Sequence, residues 1–144
     1  MYCEDVNSLP DVDWAALRAR AREAAQRAYA PYSHVHVGAC AQLADGRLVE
    51  GSNVENASYG LTLCAECSLV SDLARAGGGR LVAVSIVAGD GEPIAPCGRC
   101  RQLLFEHGGA NLLVDAGEGH AALALDALLP GAFGPDDIEA RASS

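Results

Sequence analysis

The chain has little positive charge and no long apolar segment, and each of these absences excludes a class of partner. Lysine and arginine together number 10 against 19 aspartates and glutamates, so the formal net charge is −9. A protein that binds nucleic acid or an anionic membrane needs a basic face to neutralise phosphate. No apolar run reaches the roughly 18–20 residues that cross a bilayer. We therefore expect neither nucleic acid nor membrane as a partner, and a small neutral substrate suits this charge better.

The N-terminal segment MYCEDVNSLP lacks the features of a secretory signal, since it has neither a positively charged start nor an apolar stretch. We therefore expect a cytoplasmic protein, a compartment in which stable disulfides are rare. The chain has six cysteines, and those that cluster are then best interpreted as metal ligands or catalytic groups. We expect Cys3 to be a tail residue and Cys40 to be a small buried hydrophobe in a strand.

Hydrophobic periodicity and turn residues divide the chain into alternating helices and strands. We predict a first helix over about residues 13–30, begun by Asp11 or Asp13 and ended by Pro31. A hairpin follows, with its Asp-Gly turn at residues 44–46. The apolar run LVAVSIVAG predicts a strand that is buried on both faces. Further helices are predicted at LCAECSLVSDLARAGG and CGRCRQLLFEHGG, a strand at ANLLVDAG, and a short C-terminal helix that Pro130 breaks.

This order of elements predicts an α/β fold, a three-layer α/β/α arrangement with a central mixed sheet. The sequence contains no repeat, low-complexity tract or linker, and its length suits one domain of ordinary size. We therefore predict a single domain over residues 1–144.

Four of the cysteines form two CxxC pairs, each at the predicted start of a helix. They are Cys64 with Cys67, and Cys97 with Cys100. One interpretation is a structural zinc clamp made of all four sulfurs. Against it, the two pairs are separated by a whole helix and strand, and a chain with its own core does not need a metal to fold.

The alternative is a catalytic zinc site in which Cys64, Cys97 and Cys100 supply three ligands and leave the fourth position for water. Glu66 would then stand beside the metal and exchange protons with that water. Three thiolates outweigh the two charges of zinc, so some positive group must offset them. The N-termini of the two helices would do this in part, and Arg99 or Arg101 would add to it.

The segments CAE and PCGRCRQ resemble the zinc-dependent cytidine deaminases, in their small homotetrameric form. The zinc deaminases of nucleobases share the signature H-x-E…P-C-x-x-C, here with cysteine in place of histidine. The resemblance extends over nearly the whole chain, through YAPYSHVHVGA, GSNVENASYG and ALLPGAFGP. It implies the cytidine deaminase-like fold, a Zn²⁺ cofactor and the hydrolytic deamination of cytidine and 2′-deoxycytidine to the uridine forms, with release of ammonia.

The resemblance also implies a role for each matching residue. Glu66 would protonate N3 of the base and then pass a proton to the departing amine, and the backbone near Ala65 and Cys97 would contact the base. Asn53 and Glu55 would bind the ribose. Residues that reach a neighbouring subunit's site in relatives correspond to Ala57, Tyr59 and Phe133, which implies a homotetramer with shared sites.

Two positions depart from the common pattern of this family. Cys67 stands where many relatives have an arginine that offsets the thiolate charge. Val35 stands where relatives commonly have a phenylalanine packed on the pyrimidine, so we hypothesise a wider pocket. Two other functions therefore stay open: deamination of a modified cytosine nucleoside of the blasticidin type, and a non-catalytic zinc module with four cysteines.

Overall fold

The computed structural model describes residues 11–142. The expectations for the N-terminal segment and for Cys3 fall outside these residues. The helices and strands follow one another in this order: α1 (Trp14–Ala25), β1 (Gly38–Leu43), β2 (Leu48–Ser52), α2 (Ala65–Arg75), β3 (Leu81–Val87), α3 (Gly98–Gly108), β4 (Leu113–Val114), β5 (Leu123–Ala124), α4 (Leu125–Leu128) and α5 (Pro135–Glu139).

The five strands form one mixed sheet in the order β2-β1-β3-β4-β5. β3 and β4 run parallel, and the other neighbouring strands are antiparallel. Every residue of β3 is buried. This confirms the prediction of a strand covered on both faces, as expected for the centre of a sheet between two helical layers.

Two apolar clusters cover opposite faces of the sheet and confirm the three-layer fold. On one face, Leu17 and Ala21 of α1 pack with Val82 and Val87 of β3. On the other face the larger cluster lies beneath α2 and α3. Its fully buried members include Leu43, Leu69, Leu73, Leu81, Leu104 and Leu112. Cys40 faces the α1 side and is buried, as predicted.

The start of α1 and the turn between β1 and β2 lie where the local sequence predicts them. Asp13 caps α1 and its carboxylate accepts a hydrogen bond from the backbone N–H of Ala16 at 3.0 Å. The hairpin turns at Asp45 and Gly46, and Gly46 has a φ of 92°, which glycine adopts without strain. Both features depend on residues within four positions of one another, so the sequence predicts them well.

The predicted end of α1 was wrong. The helix ends at Ala25 and does not continue to Ala30 before Pro31. The backbone of Tyr29 instead pairs with the segment after β2: its N–H donates to the carbonyl of Asn53 and its carbonyl accepts from Glu55 N–H. This tertiary pairing takes the peptide groups that a longer helix would use.

The C-terminal region also differs in detail. The predicted strand around residue 113 is present but short, and β5 was not predicted. Pro130 separates two short helices, α4 and α5, where one broken helix was expected. None of the helices among residues 11–142 combines the length and the apolar character that a membrane span requires.

Gly51 positions the candidate site, because it lets α2 lie against β2. A Cβ added at this glycine would collide with the carbonyl oxygen of Ala65 and the backbone nitrogen of Leu69. The first turn of α2, which carries Ala65 and Glu66, is therefore held directly on the sheet.

Candidate metal centre and active site

The N-termini of α2 and α3 meet and bring three cysteines together. Cys64 is the N-cap residue of α2, Cys97 is the N-cap residue of α3, and Cys100 lies in the first turn of α3. Their three Sγ atoms lie within 4.8 Å of one another. The Sγ atoms of Cys64 and Cys97 are 4.0 Å apart. Two segments more than 30 positions apart in the chain therefore supply one compact group of sulfurs.

The donor set and its spacing fit a zinc ion. Zinc binds cysteine sulfur at about 2.3 Å, so two sulfurs on a tetrahedral zinc are about 3.8 Å apart. The separation of Cys64 and Cys97 agrees with this value. Thiolates at tetrahedral spacing favour zinc over magnesium or calcium, which prefer oxygen ligands. Three sulfurs leave one position of the tetrahedron for water or substrate.

Cys67 does not join this group. Among residues 11–142, the cluster that can hold a metal consists of Cys64, Cys97 and Cys100. The sulfur of Cys67 instead accepts a hydrogen bond from Nη2 of Arg99 at 3.3 Å. This arrangement favours a three-sulfur site over a clamp made of all four cysteines.

The three thiols differ in how readily they lose a proton. Burial raises the pKa of Cys64 and, more strongly, that of Cys100, where the nearby carboxylate of Glu66 adds to the effect. Burial also acts on Cys97, but hydrogen bonds from the Cys100 backbone N–H and from both neighbouring thiols outweigh it and lower the pKa of Cys97. A metal ion that binds here must therefore displace protons from Cys64 and Cys100.

Glu66 lies in the first turn of α2 and is only 4% exposed. Its negative charge acts on the thiol of Cys100 and helps to raise the pKa of that thiol. Glu66 is therefore a buried carboxylate beside a candidate metal ligand. Ala65, immediately before it, is buried as well. The arrangement can move protons beside a metal ion.

Asn53 and Glu55 both hold the segment of residues 31–37. Asn53 is buried; its Oδ1 accepts from Val37 N–H at 2.8 Å and its Nδ2 donates to the carbonyl of Val35 at 2.9 Å. Glu55 accepts hydrogen bonds from the Ser33 hydroxyl and from the backbone N–H groups of Tyr32 and Ser33. The Ser33 hydroxyl is the main cause of the lowered pKa of Glu55.

These bonds were not anticipated from the sequence, where both residues were assigned to ribose. Ser33 in particular lies 22 positions from Glu55, and no local pattern in the sequence indicates such a contact. The role of Asn53 and Glu55 in binding a sugar stays a prediction.

The remaining predicted residues lie on the surface of the single chain. Val35 is 49% exposed, Tyr59 is 76% exposed and Phe133 is 59% exposed; Ala57 is exposed too. Tyr59 makes an edge-to-face contact with Tyr32, whose ring centre is 6.2 Å away. A groove of about 490 Å³ beside Phe133 runs along α5. These four residues are thus open to solvent in one chain, and their role in a site stays a prediction.

The two candidate arginines have different partners. Arg101 donates from Nε to the carbonyl of Pro96 and from Nη1 to the carbonyl of Leu128, both at 2.8 Å. It therefore fixes the start of α3 against the end of α4. Arg99, by contrast, points across to the α2 side of the cluster.

Comparison with known proteins gives a consistent result. Residues 14–115 match the family model described as the cytidine and deoxycytidylate deaminase zinc-binding region. A curated cytidine deaminase of Mycobacterium tuberculosis is 56% identical over 130 residues, which cover 90% of this chain and 96% of the relative. A curated cytidine deaminase of Halalkalibacterium halodurans is 38% identical over 130 residues, covering 88% of this chain and 98% of the relative.

Solved structures agree with these relatives. The crystal structure of the cytidine deaminase from M. tuberculosis superposes with a TM-score of 0.82 at 56% identity, over 86% of this chain and 99% of that one. The cytidine deaminase from Burkholderia pseudomallei superposes with a TM-score of 0.77 at 40% identity, over 85% of this chain and 100% of that one.

Proposed function

The chain belongs to the cytidine and deoxycytidylate deaminase family, and from this premise we propose that it converts cytidine and 2′-deoxycytidine to uridine and 2′-deoxyuridine. The protein is a zinc-dependent enzyme. Water adds at C4 of the base and the exocyclic amine leaves as ammonia. The observation that carries the assignment is the group of three sulfurs with the buried carboxylate of Glu66 against it. We extend the domain from the matched residues 14–115 to the whole of residues 1–144.

Cys64, Cys97 and Cys100 would hold the zinc. When bound, zinc supplies a polarised water that is nucleophilic near neutral pH. Glu66 would take one proton from the attacking water and deliver it to N3 of the ring. Once the oxygen is bonded to C4, Glu66 would take the remaining proton of that oxygen and pass it to the amine nitrogen, so that the C4–N bond breaks and ammonia leaves. One carboxyl group can serve as base and then as acid because it gives up each proton that it takes.

The sugar end of the substrate is assigned to Asn53 and Glu55. An asparagine amide has two donors and two acceptor sites, and Asn53 uses one of each on Val35 and Val37. A carboxylate has about four acceptor sites, and Glu55 uses three on Tyr32 and Ser33. Each residue thus keeps a free polar site for a ribose hydroxyl, and Glu55 is already ionised because its pKa is lowered.

Val35 supports a second candidate substrate within the same chemistry. Its side chain is exposed and smaller than an aromatic ring, and Asn53 fixes its backbone. A pocket that is wider at this point admits a modified cytosine nucleoside as well as cytidine.

We further propose a homotetramer in which Ala57, Tyr59 and Phe133 complete a neighbour's site. Support comes from the exposure of Tyr59 and Phe133 and from the open groove beside Phe133. We place the enzyme in the cytoplasm, where reduced thiols remain available for zinc. With a net charge of −9, a free nucleoside is a better substrate than a polynucleotide.

A direct test follows the change in ultraviolet absorbance as cytidine becomes uridine. The zinc-loaded protein should convert cytidine and 2′-deoxycytidine. Removal of zinc with a chelator should abolish conversion, and added zinc should restore it. The free base cytosine and a C5-modified cytidine complete the panel. A zinc-loaded protein that is inert to every cytosine nucleoside would overturn the proposal and favour a structural metal module.

The sugar assignment has its own test. Glu55→Gln should raise KM for cytidine more than it lowers kcat, because the charged acceptor binds substrate without touching the reacting atoms. Glu118→Gln, at an exposed position, is the matched control. An unchanged KM in the Glu55 variant would remove this residue from substrate binding.

A further inference from the structure

Arg99 is an exposed residue in the first turn of α3, between the two cysteines that α3 contributes to the metal site. Although the residue is exposed, its guanidinium forms hydrogen bonds with other parts of the chain. Nη2 donates to the Sγ of Cys67 at 3.3 Å and to the carbonyl oxygen of Thr62 at 3.4 Å. One side chain from α3 therefore reaches two acceptors on the α2 side.

These two acceptors lie on either side of Cys64 in the chain. Thr62 comes two positions before it and Cys67 three positions after it. Since α3 provides two sulfurs of the metal site and Cys64 provides the third, Arg99 joins the two halves of the cluster. Below the cluster, Leu69 of α2 and Leu104 of α3 belong to the same buried apolar core.

The charge balance of the site calls for a positive group at this place. Two charges of zinc against three thiolates leave one negative charge, and the carboxylate of Glu66 lies beside them. Arg101 is turned to the carbonyls of Pro96 and Leu128.

We propose that Arg99 is a positioning residue of the zinc site, which ties the segment around Cys64 to the start of α3 and offsets the surplus thiolate charge. In this arrangement Cys67 is the sulfur acceptor of Arg99 and not a ligand. The inference rests on the proposed function, because it requires that Cys64, Cys97 and Cys100 hold the metal. A guanidinium suits both tasks, since it stays charged and offers several donors in one plane.

The test compares four variants with the wild type: Arg99→Ala, Arg99→Lys, Cys67→Ala and, as the matched control, Arg75→Ala. Arg75 is exposed in the last turn of α2, at the other end of that helix from the site. Three measurements are made on each protein. They are zinc affinity by competition with a chromophoric chelator, steady-state kinetics (kcat and KM) with cytidine, and the energy of the thiolate-to-metal charge-transfer band after replacement of zinc by cobalt(II).

Arg99→Ala should weaken zinc binding and lower kcat, each by about 10- to 100-fold, as expected for the loss of a group that supports metal ligands. KM should change much less, because Arg99 does not bind substrate. The cobalt band should move to lower energy, because the sulfurs lose a neighbouring positive charge. Arg99→Lys should recover part of kcat and of the band position. Cys67→Ala should have a smaller effect than Arg99→Ala, and Arg75→Ala should match the wild type.

The outcomes separate this inference from the function on which it rests. If the wild type binds zinc and deaminates cytidine while Arg99→Ala equals Arg75→Ala in all three measurements, the role of Arg99 is wrong and the function stands. If Arg99→Lys is as impaired as Arg99→Ala in band position, the charge is not what Arg99 contributes. If Arg99→Ala does not fold, the cobalt band positions of Arg99→Lys and Cys67→Ala replace it as the test. Wild-type band positions in both variants would then contradict the role of Arg99. A wild type without bound zinc or activity contradicts the proposed function itself.

Discussion

Two buried carboxylates, on opposite sides of the same sheet, are used in opposite ways. On the α1 side, Asp115 follows β4 and accepts hydrogen bonds from both Nε and Nη2 of Arg18, at 2.8 and 2.7 Å, and from the Ser85 hydroxyl and the Gly117 N–H. On the α2 side, Glu66 lies against the thiol of Cys100. Both carboxylates are more than nine-tenths buried.

The difference lies in what surrounds them. Four donors occupy the roughly four acceptor sites of Asp115, so nothing remains with which it could bind another molecule. Arg18 compensates its charge directly, and the pair connects α1 to the sheet. Glu66 is placed among sulfurs that can themselves take up a metal ion. We infer that the first carboxylate serves stability, and we propose that the second serves chemistry; this distinction can be tested by substitution.

The largest expected effect is on the catalytic side. Glu66→Gln should lower kcat/KM for cytidine by about 10²–10⁴-fold, the usual contribution of a general acid–base group. The zinc content and the free energy of unfolding should change little, because glutamine preserves the volume of the side chain. Activity, zinc analysis and chemical denaturation are measured on the same preparation. Glu106→Gln, exposed on α3, is the control. A folded, zinc-loaded Glu66→Gln protein with full activity would exclude Glu66 from the mechanism.

A substitution on the α1 side, beside Asp115, should affect stability alone. Arg18→Ala leaves the Asp115 carboxylate buried without its counter-ion and should lower the free energy of unfolding by about 3 kcal/mol. This value is at the lower end of the free-energy range for breaking a buried ion pair, because the Arg18 side chain is still 12% exposed. Zinc content and kcat per folded molecule should remain as in the wild type. Arg27→Ala, whose side chain is 79% exposed, should have little effect. A loss of kcat in folded Arg18→Ala would mean that the two regions are coupled.

The dependence of stability on pH should distinguish Asp115 further. Although burial alone would raise the pKa of Asp115, its hydrogen bonds to Arg18, Gly117 and Ser85 lower it below the ordinary value. A carboxylate with a lowered pKa stabilises the fold above about pH 4, and this contribution is lost as the pH falls through the folded-state pKa. Asp115→Asn should therefore be less stable than the wild type at neutral pH. The difference between the two proteins in the free energy of unfolding should narrow below about pH 4 in denaturation curves. A difference that stays constant would contradict this account.

The smallest expected effect concerns the substrate pocket. Val35→Phe should lower KM for cytidine, because a ring stacked on the base is worth about 0.5–1.5 kcal/mol. It should also reduce the activity on bulky C5-modified cytidines relative to cytidine. Leu48→Phe, at an exposed position of β2, controls for an added ring elsewhere. An unchanged or higher KM would show that residue 35 does not contact the base.

Most of the fold was predictable because its signals are local. The cap of α1, the hairpin turn and the buried β3 depend on neighbouring residues or on one periodic pattern. Where prediction failed, a distant segment decided the outcome. Tyr29 is not helical because its backbone forms hydrogen bonds with residues 53–55, which are distant in the sequence. The two-residue β5 is defined by its pairing with β4 and carries no pattern of its own.

The candidate site shows the same division. The two CxxC pairs, and the acidic residue after Cys64, are visible in the sequence and indicate a metal site with an acid–base group. The environment of each group is not visible. Ser33 holds Glu55 from 22 positions away, and Arg99 reaches Cys67 from 32 positions away. Asn53, predicted as a sugar ligand, also fixes the backbone on both sides of His36.

By itself, the sequence determined that two helices begin at cysteines. The start of a helix depends on residues within a few positions of one another, so it can be predicted locally. It also determined the chemistry available there: thiols and one carboxyl group. Only the tertiary structure decided which three of the four sulfurs converge and that Cys67 turns to Arg99. The physical reason is that those distances depend on how α2 and α3 pack on the sheet. That packing is set by core residues such as Leu69 and Leu104, which carry none of the chemistry.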